Sequence, residues 1–272
     1  MTSPPSASTP APALLRTDHE GITTLTLNRA SARNSLSEAL LDALTTAFEN
    51  IAEDESVRVV ILAANGPAFS AGHDLKELQA HRGDADKGRA YYTDIMNRCA
   101  TMMQKIVSCP KPVIAQIQGI ATAAGCQLVA SCDLAIAADT AKFATPGVNI
   151  GLFCSTPMVA LTRNVSRKHA MEMLLLGDMI SAQKACDIGL INKAVTHDQL
   201  ETASQEMAQM IASKSSLTLA MGKEAFYTQI DMELADAYHH ASDVMVHNML
   251  THDSEEGIEA FLAKRTPLWK DR

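Results

Sequence analysis

The sequence predicts an α/β fold followed by a helical C-terminal region. Before residue 200, short runs rich in β-branched residues alternate with segments of helical periodicity, a pattern typical of layered strands and helices. After residue 200 only helical patterns remain. No linker rich in Gly, Ser or Pro divides the chain. We therefore expect one domain, with a flexible tail over 1–13, a core over 14–200 and a helical region over 201–272.

The individual elements follow from periodicity. Strands are predicted over 22–27, 57–63, 113–117 and 134–138, and helices over 35–51, 91–107 and 122–132. The C-terminal helices are predicted over 200–211, 217–230, 235–250 and 254–264. Ser35 followed by Glu38 matches a capping box, so the first helix is predicted to begin there.

Composition and charge exclude several classes of protein. The chain has 272 residues, 47% of them hydrophobic, which is enough for a full core, and its net charge of −8 argues against a nucleic-acid partner. The six cysteines form no Cys-x-x-Cys pair, so we expect free thiols and no metal site. The first twelve residues lack the charged and apolar regions of a leader, which favours a cytoplasmic location.

Two long uncharged segments, 112–132 and 143–162, have the length of a membrane span. The first contains Gln116, Gln118 and Gln127, whose amides would be costly in hydrocarbon. We therefore expect no membrane partner, and we interpret both segments as buried walls of a cavity.

Two loops of small residues are the main candidates for a functional site. The segment 67–75 follows a predicted strand, and the segment 119–127 follows another strand and opens a helix. Such loops let the main chain approach a ligand, and the first N–H groups of a helix lack intrahelical partners. Two such donors side by side would form an oxyanion hole. On spacing alone, two ordinary tight turns remain the alternative.

These two loops, together with 143–147 and 181–191, resemble the enoyl-CoA hydratase/isomerase (crotonase) superfamily over about residues 14–270. The segment 123–156 is especially similar to one subgroup of it. The resemblance implies a spiral of ββα units, C-terminal helices that form a homotrimer or a dimer of trimers, and an acyl-CoA thioester bent between the loops. CoA would be part of the substrate, and neither a separate cofactor nor a metal is implied. A role in fatty acid metabolism is also implied.

The resemblance further implies the roles of individual residues. The oxyanion donors would be the backbone N–H groups of His73 and Ala124. Adenine and pantetheine would lie along Ala71, Gly72, Asp74 and Leu75, and the phosphates would meet Arg29, Lys264 and Lys270. For each of these basic residues, a solvated surface charge is the alternative.

The sequence departs from the family where hydratases carry two catalytic glutamates, because those positions fall on Gln127 and Gly147. Glutamine can orient a water molecule but cannot accept its proton near neutral pH, and glycine offers no side chain. Cys154 and Ser155 occupy positions at which other branches carry acids or a tyrosine, with a small buried thiol as the alternative for Cys154. The His73 imidazole is expected to point to solvent, with a role as an acid or base near pH 7 as the alternative.

The expected function is therefore that of a lyase or isomerase of the enoyl-CoA hydratase type, which stabilises a thioester enolate through its backbone. Two alternatives remain open. One is a catalytically silent acyl-CoA-binding protein. The other is a decarboxylase of a malonyl-type CoA, because 71–74 and 148–149 resemble that branch and decarboxylation needs no strong base.

Overall fold

The computed structural model of the protein describes residues 11–272. The predicted flexible tail over 1–13 lies mostly outside these residues. Within them, the Pro12 and Ala13 carbonyls accept hydrogen bonds from Asn28, whose side chain and backbone N–H are the donors.

Strands and helices alternate through the first 200 residues, and helices fill the remainder. The strands are β1 (Leu14–His19), β2 (Ile22–Leu27), β3 (Val59–Ala64), β4 (Ala68–Ser70), β5 (Val113–Ile117), β6 (Ile120–Thr122), β7 (Leu134–Ala138), β8 (Lys142–Ala144), β9 (Ile180–Ser181) and β10 (Lys193–Val195). The helices are α1 (Glu38–Glu53), α2 (Leu75–Ala80), α3 (Arg89–Ser108), α4 (Ala124–Ser131), α5 (Ser155–Leu161), α6 (Arg167–Leu176), α7 (Ala182–Asp187), α8 (Leu200–Ala212), α9 (Ser216–Gln229), α10 (Leu234–Met249) and α11 (His252–Leu262).

The strands form two separate sheets, and the chain adds strands to both as it proceeds. The larger has the order β1-β2-β3-β5-β7-β10 and is parallel except for the β1–β2 hairpin, and the smaller has the order β4-β6-β8-β9. From β3 to β8, successive strands alternate between the large sheet and the small sheet. This arrangement confirms the predicted α/β core with its ββα repeat.

The large sheet is covered on both faces because side chains alternate along each strand. In β3, Val60 and Leu62 belong to the main core, whereas Val59 and Ile61 pack in a second cluster that includes Ala208 of α8. Burial of both faces explains why β3, β5 and β7 are almost continuously apolar.

The sequence patterns located the long elements well and the short ones poorly. The strands at 22–27, 113–117 and 134–138 have the predicted bounds. The predicted capping box at Ser35 is wrong: α1 begins after Ser37, whose side chain accepts the Leu40 N–H, while the Ser35 hydroxyl donates to Asp74. The two- and three-residue strands of the small sheet were not predicted.

The C-terminal helices leave much apolar surface uncovered. Neither α9 nor α10 has a fully buried residue, and Leu234, Leu250 and Phe261 are 74%, 80% and 82% exposed. Over residues 11–272, no helix is both long enough and apolar enough to cross a bilayer.

Candidate active site

The two small-residue loops are in direct contact. Gly72 follows β4 with a φ of +87°, and a Cβ built there would lie 3.1 Å from the Ala124 nitrogen and 2.9 Å from the Ala123 Cβ. A Cβ built at Gly125 would lie 2.2 Å from the Ser70 carbonyl oxygen. Both glycines are required because the backbones approach too closely for any side chain.

Within the segment 71–74 of the first loop, a single N–H has no acceptor among the described residues. The N–H groups of Ala71, Gly72 and Asp74 donate to the Arg33 carbonyl, the Ser70 hydroxyl and the Leu36 carbonyl at 3.0, 3.3 and 3.4 Å. The N–H of His73, between them, meets no acceptor within the described part of the chain. This loop therefore presents one unpaired donor.

The second loop presents another donor at the start of α4. Ala123 has the unusual backbone angles φ 51° and ψ −121°, and its own N–H donates to the Ala144 carbonyl at 3.0 Å. Strained backbone of this kind persists only where its surroundings impose it, and it clusters at functional sites. The next N–H, of Ala124, is in the first helical turn and has no acceptor among residues 11–272.

An ion pair anchors the far side of the His73 loop. The Arg29 guanidinium lies 3.1 Å from a carboxylate oxygen of Asp74, which also accepts the Ser35 hydroxyl at 2.9 Å. Burial acts to raise the pKa of Asp74, but the hydrogen bonds from Ser35, Arg29 and the Lys76 N–H outweigh it and lower the pKa overall. Arg29, predicted to meet phosphates, thus already has a carboxylate partner. Leu75, next along this predicted CoA-binding segment, is 56% exposed.

The His73 imidazole does not point to solvent, so that expectation is wrong. Both ring nitrogens are buried and lack hydrogen-bond partners among the described residues. Burial lowers the pKa of His73, because no nearby group compensates for the lost hydration of the charged ring. The ring is therefore neutral at pH 7.

Two further polar side chains are buried near the start of α4. Gln127, one turn after the free Ala124 N–H, is 5% exposed, and its side-chain oxygen has no partner in the described part of the chain. The hydroxyl of Thr145, directly after β8, is also unpaired there. Unpaired buried polar atoms cost free energy, so two in one region favour a ligand-binding site.

Gly147, which the resemblance predicts to stand in place of the family's second glutamate, has no room for a side chain. A Cβ built at Gly147 would lie 2.7 Å from the Leu152 carbonyl oxygen and 2.9 Å from the Cys154 sulfur. The Gly147 N–H donates to that sulfur at 3.3 Å. Burial raises the pKa of Cys154, although this N–H opposes the effect, so the group is a thiol rather than a thiolate.

The remaining predicted residues are Ser155, Lys264 and Lys270. Ser155 is exposed at the start of α5, with its hydroxyl 3.4 Å from the Phe153 carbonyl. Lys264 follows α11, and Lys270 donates its backbone N–H to Asp253 at 2.8 Å. No hydrogen bond or ion pair within residues 11–272 joins either lysine to the His73 loop, and their role at the phosphates stays a prediction.

Sequence analysis missed Asn34 and Ser70, which are both fully buried and hydrogen-bonded beneath the His73 loop. The only signal was a polar run, 33–35, before an apolar helix. Of that run, only Ser35 was interpreted, as the start of the first helix.

Comparisons with known proteins identify the family and the fold of this chain. The sequence model of the Enoyl-CoA hydratase/isomerase family matches residues 17–272. The rat enoyl-CoA hydratase domain-containing protein 3, mitochondrial, is 49% identical over 92% of this chain and 82% of its own length. The crystal structure of human enoyl coenzyme A hydratase domain-containing protein 3 has a TM-score of 0.90 and 46% identity, covering 94% of this chain and 100% of that one. That of a Mycobacterium smegmatis enoyl-CoA hydratase has a TM-score of 0.91 and 51% identity, covering 95% and 99%.

These comparisons confirm the resemblance to the family and identify its subgroup as domain-containing protein 3. They also correct one expectation. The rat, mouse and human relatives, 46–49% identical, are all named mitochondrial, which points to a mitochondrial rather than a cytoplasmic location. The expectation rested on the absence of a recognisable leader, and the patterns that specify a fold carry no information about where a chain is sent.

Proposed function

Because the chain belongs to the enoyl-CoA hydratase/isomerase family, we propose that it binds an acyl-CoA thioester and stabilises the thioester enolate. The supporting observation is the pair of unpaired N–H groups, at His73 and Ala124, on two loops that touch. Both would donate to the thioester carbonyl oxygen, whose negative charge grows as the enolate forms. Each such donor contributes roughly 10²- to 10³-fold in rate where it acts.

The side chains around this pair do not supply the two carboxylates of ordinary hydration. Gln127 can hold a water molecule or a substrate oxygen through its amide but cannot take up a proton. Gly147 contributes only backbone, and the protonated Cys154 thiol fills the adjacent space. We therefore propose that polarisation of the carbonyl, rather than two-carboxylate addition of water, is what this site performs.

Decarboxylation of a malonyl-type CoA is the catalytic alternative that this side-chain set favours. Loss of CO₂ breaks the bond between the α-carbon and the carboxylate, and the electron pair of that bond moves onto the thioester carbonyl to form the enolate. No base is needed, and a proton from water at the α-carbon completes the acyl-CoA product. The neutral His73 ring and the protonated Cys154 fit such a step because neither has to accept a proton. A catalytically silent acyl-CoA-binding protein would have the same backbone pair and no turnover.

The CoA portion is proposed to lie along Ala71, Gly72, Asp74 and Leu75. Lys264 and Lys270 belong to the C-terminal region, whose apolar helices are proposed to pack against other subunits of a homotrimer or a dimer of trimers. In such an assembly the lysines of one subunit would reach the phosphates bound by another.

Product analysis by mass spectrometry tests this function. The purified protein is incubated with crotonyl-CoA, longer enoyl-CoAs and malonyl-CoA, while binding of each is measured by calorimetry. Binding without hydration is the expected result. Loss of CO₂ would select decarboxylation, and binding with every substrate unchanged would select the silent binding protein. Hydration at ordinary rates, or absence of binding, would contradict the proposal.

A further inference from the structure

A buried network lies beneath the His73 loop and connects it to the turn before α1. Asn34 is fully buried in a left-handed conformation with φ 51°. Its side-chain amide donates to the Asn65 and Ala68 carbonyls, each at 2.8 Å, and its side-chain oxygen accepts the Arg29 N–H at 2.8 Å. All of its polar side-chain atoms are therefore paired, which holds this turn in one conformation.

Ser70 carries the connection from Asn34 to the loop. Its hydroxyl donates to the Asn34 backbone carbonyl at 2.9 Å and accepts the Gly72 N–H at 3.3 Å. Leu36 fixes the other side, because its N–H donates to the Gly72 carbonyl at 2.8 Å and its carbonyl accepts the Asp74 N–H. His73 therefore lies between Gly72 and Asp74, and hydrogen bonds connect both of these neighbours to the turn at 34–36.

This arrangement leaves the His73 N–H as the unpaired donor of the segment 71–74. The peptide plane that carries this N–H is set by Gly72 and His73, and Gly72 is bonded through both its N–H and its carbonyl. We propose that Asn34 and Ser70 are positioning residues, which aim the His73 N–H at the thioester carbonyl without touching the substrate. This inference rests on the proposed function.

The carbonyl stretching frequency of bound butyryl-CoA, labelled with ¹³C at the carbonyl carbon, reports whether the His73 N–H donates a hydrogen bond to this carbonyl. Butyryl-CoA has no double bond to hydrate, and hydrogen bonds to its carbonyl lower the frequency on binding. In Ser70→Ala and in Asn34→Ala we expect about half of that shift to be lost, since one of two donors is misaligned. Ser204→Ala is the matched control, because Ser204 is equally buried and bonds only within α8. The frequency shift of butyryl-CoA bound to this control variant should equal the shift of butyryl-CoA bound to the unmodified protein.

The outcomes separate the two proposals. A full shift in folded Ser70→Ala and Asn34→Ala would overturn the positioning role and leave the proposed function standing. No shift in the unmodified protein would overturn the proposed function and the positioning role with it. Amide hydrogen exchange of the unmodified protein serves if the variants do not fold: slow exchange at 71, 72 and 74 with fast exchange at His73 is expected. Equally slow exchange at His73 would overturn the inference.

Discussion

Single residues in this site act through the space they leave as much as through their chemistry. Gly72 and Gly125 allow two loops to touch. At Gly147, the space that a side chain would need is occupied by the Leu152 carbonyl and the Cys154 sulfur. Consequently the two positions predicted to correspond to the hydratase glutamates, Gln127 and Gly147, are not equivalent here. Gln127 has the length of a glutamate in a buried place, whereas a side chain at Gly147 would collide with backbone.

Restoring the two carboxylates separately tests this difference. We expect Gln127→Glu to bring crotonyl-CoA hydration to a measurable rate, about 10²-fold above the unmodified protein, because one general base is restored. Gly147→Glu should instead lower the unfolding free energy by about 1–3 kcal/mol, because its Cβ displaces the Leu152 carbonyl. Hydration assays and urea denaturation give the two readouts. Hydration in Gly147→Glu with unchanged stability would contradict this interpretation.

The buried His73 ring predicts a pH dependence of stability. Its pKa in the folded protein is lowered from 6.5, so the unfolded chain binds more protons below that pH. The unfolding free energy should therefore be at its full value above pH 6.5 and fall as the pH decreases toward the folded pKa. His73→Gln should flatten this decrease between pH 6.5 and about 5, above the range in which carboxylates titrate. The unfolding free energy is measured by denaturation at each pH. If it fell equally steeply with pH in the variant, the buried His73 ring would not be the cause of the decrease.

At the scale of secondary structure, α9 is joined to the core by charge rather than by apolar burial. The Lys223 ammonium lies 2.7 Å from Asp133 and also donates to the Ile106 and Lys111 carbonyls, and the Tyr227 hydroxyl donates to Asp133 at 2.9 Å. Burial raises the pKa of Tyr227, and the adjacent Asp133 carboxylate raises it further, so this hydroxyl stays protonated and can donate.

Breaking this ion pair should be costly. Lys223→Met leaves the Asp133 carboxylate without its cation, and we expect a loss of about 3 kcal/mol in unfolding free energy. Arg163→Met is the control, since Arg163 and Asp231 are 58% and 73% exposed and 3.9 Å apart, and it should cost about 0.5 kcal/mol or less. Equal effects in the two variants would show that α9 is not attached through Lys223.

The long elements could be predicted from sequence because periodicity reports burial, as in β5 and α3. The short strands of the small sheet could not, since two or three residues are too few to show a period. The two small-residue loops could also be located from the sequence, whereas the replacement of the family's glutamates by Gln127 and Gly147 stays a prediction. The Asn34–Ser70 hydrogen bond and the collision at Gly147 were not, because both depend on atoms that only the folded chain brings together.

At the scale of the whole molecule, the C-terminal helical region has the exposed apolar surface that is typical of a subunit interface. Its exposed apolar residues lie along α9, α10 and α11, whereas α8 packs on the large sheet through Ala208. Sedimentation equilibrium should therefore give three or six times the chain mass of 29.2 kDa. Leu250→Glu together with Phe261→Glu should dissociate the assembly, because both side chains are almost fully exposed in one chain. A monomer mass for the unmodified protein would contradict the proposed assembly.

The central claim is that two backbone N–H groups receive the thioester carbonyl. It is tested most directly by comparing the affinities of butyryl-CoA and S-butyl-CoA, a thioether that lacks only that oxygen. Two hydrogen bonds are worth about 2 kcal/mol together, so butyryl-CoA should bind about 30-fold more tightly. Gly72→Ala should abolish the preference, whereas Gly189→Ala, which has a similar φ but only an ordinary contact at 3.5 Å, should retain it. Equal affinities of the unmodified protein for the two ligands would contradict the claim.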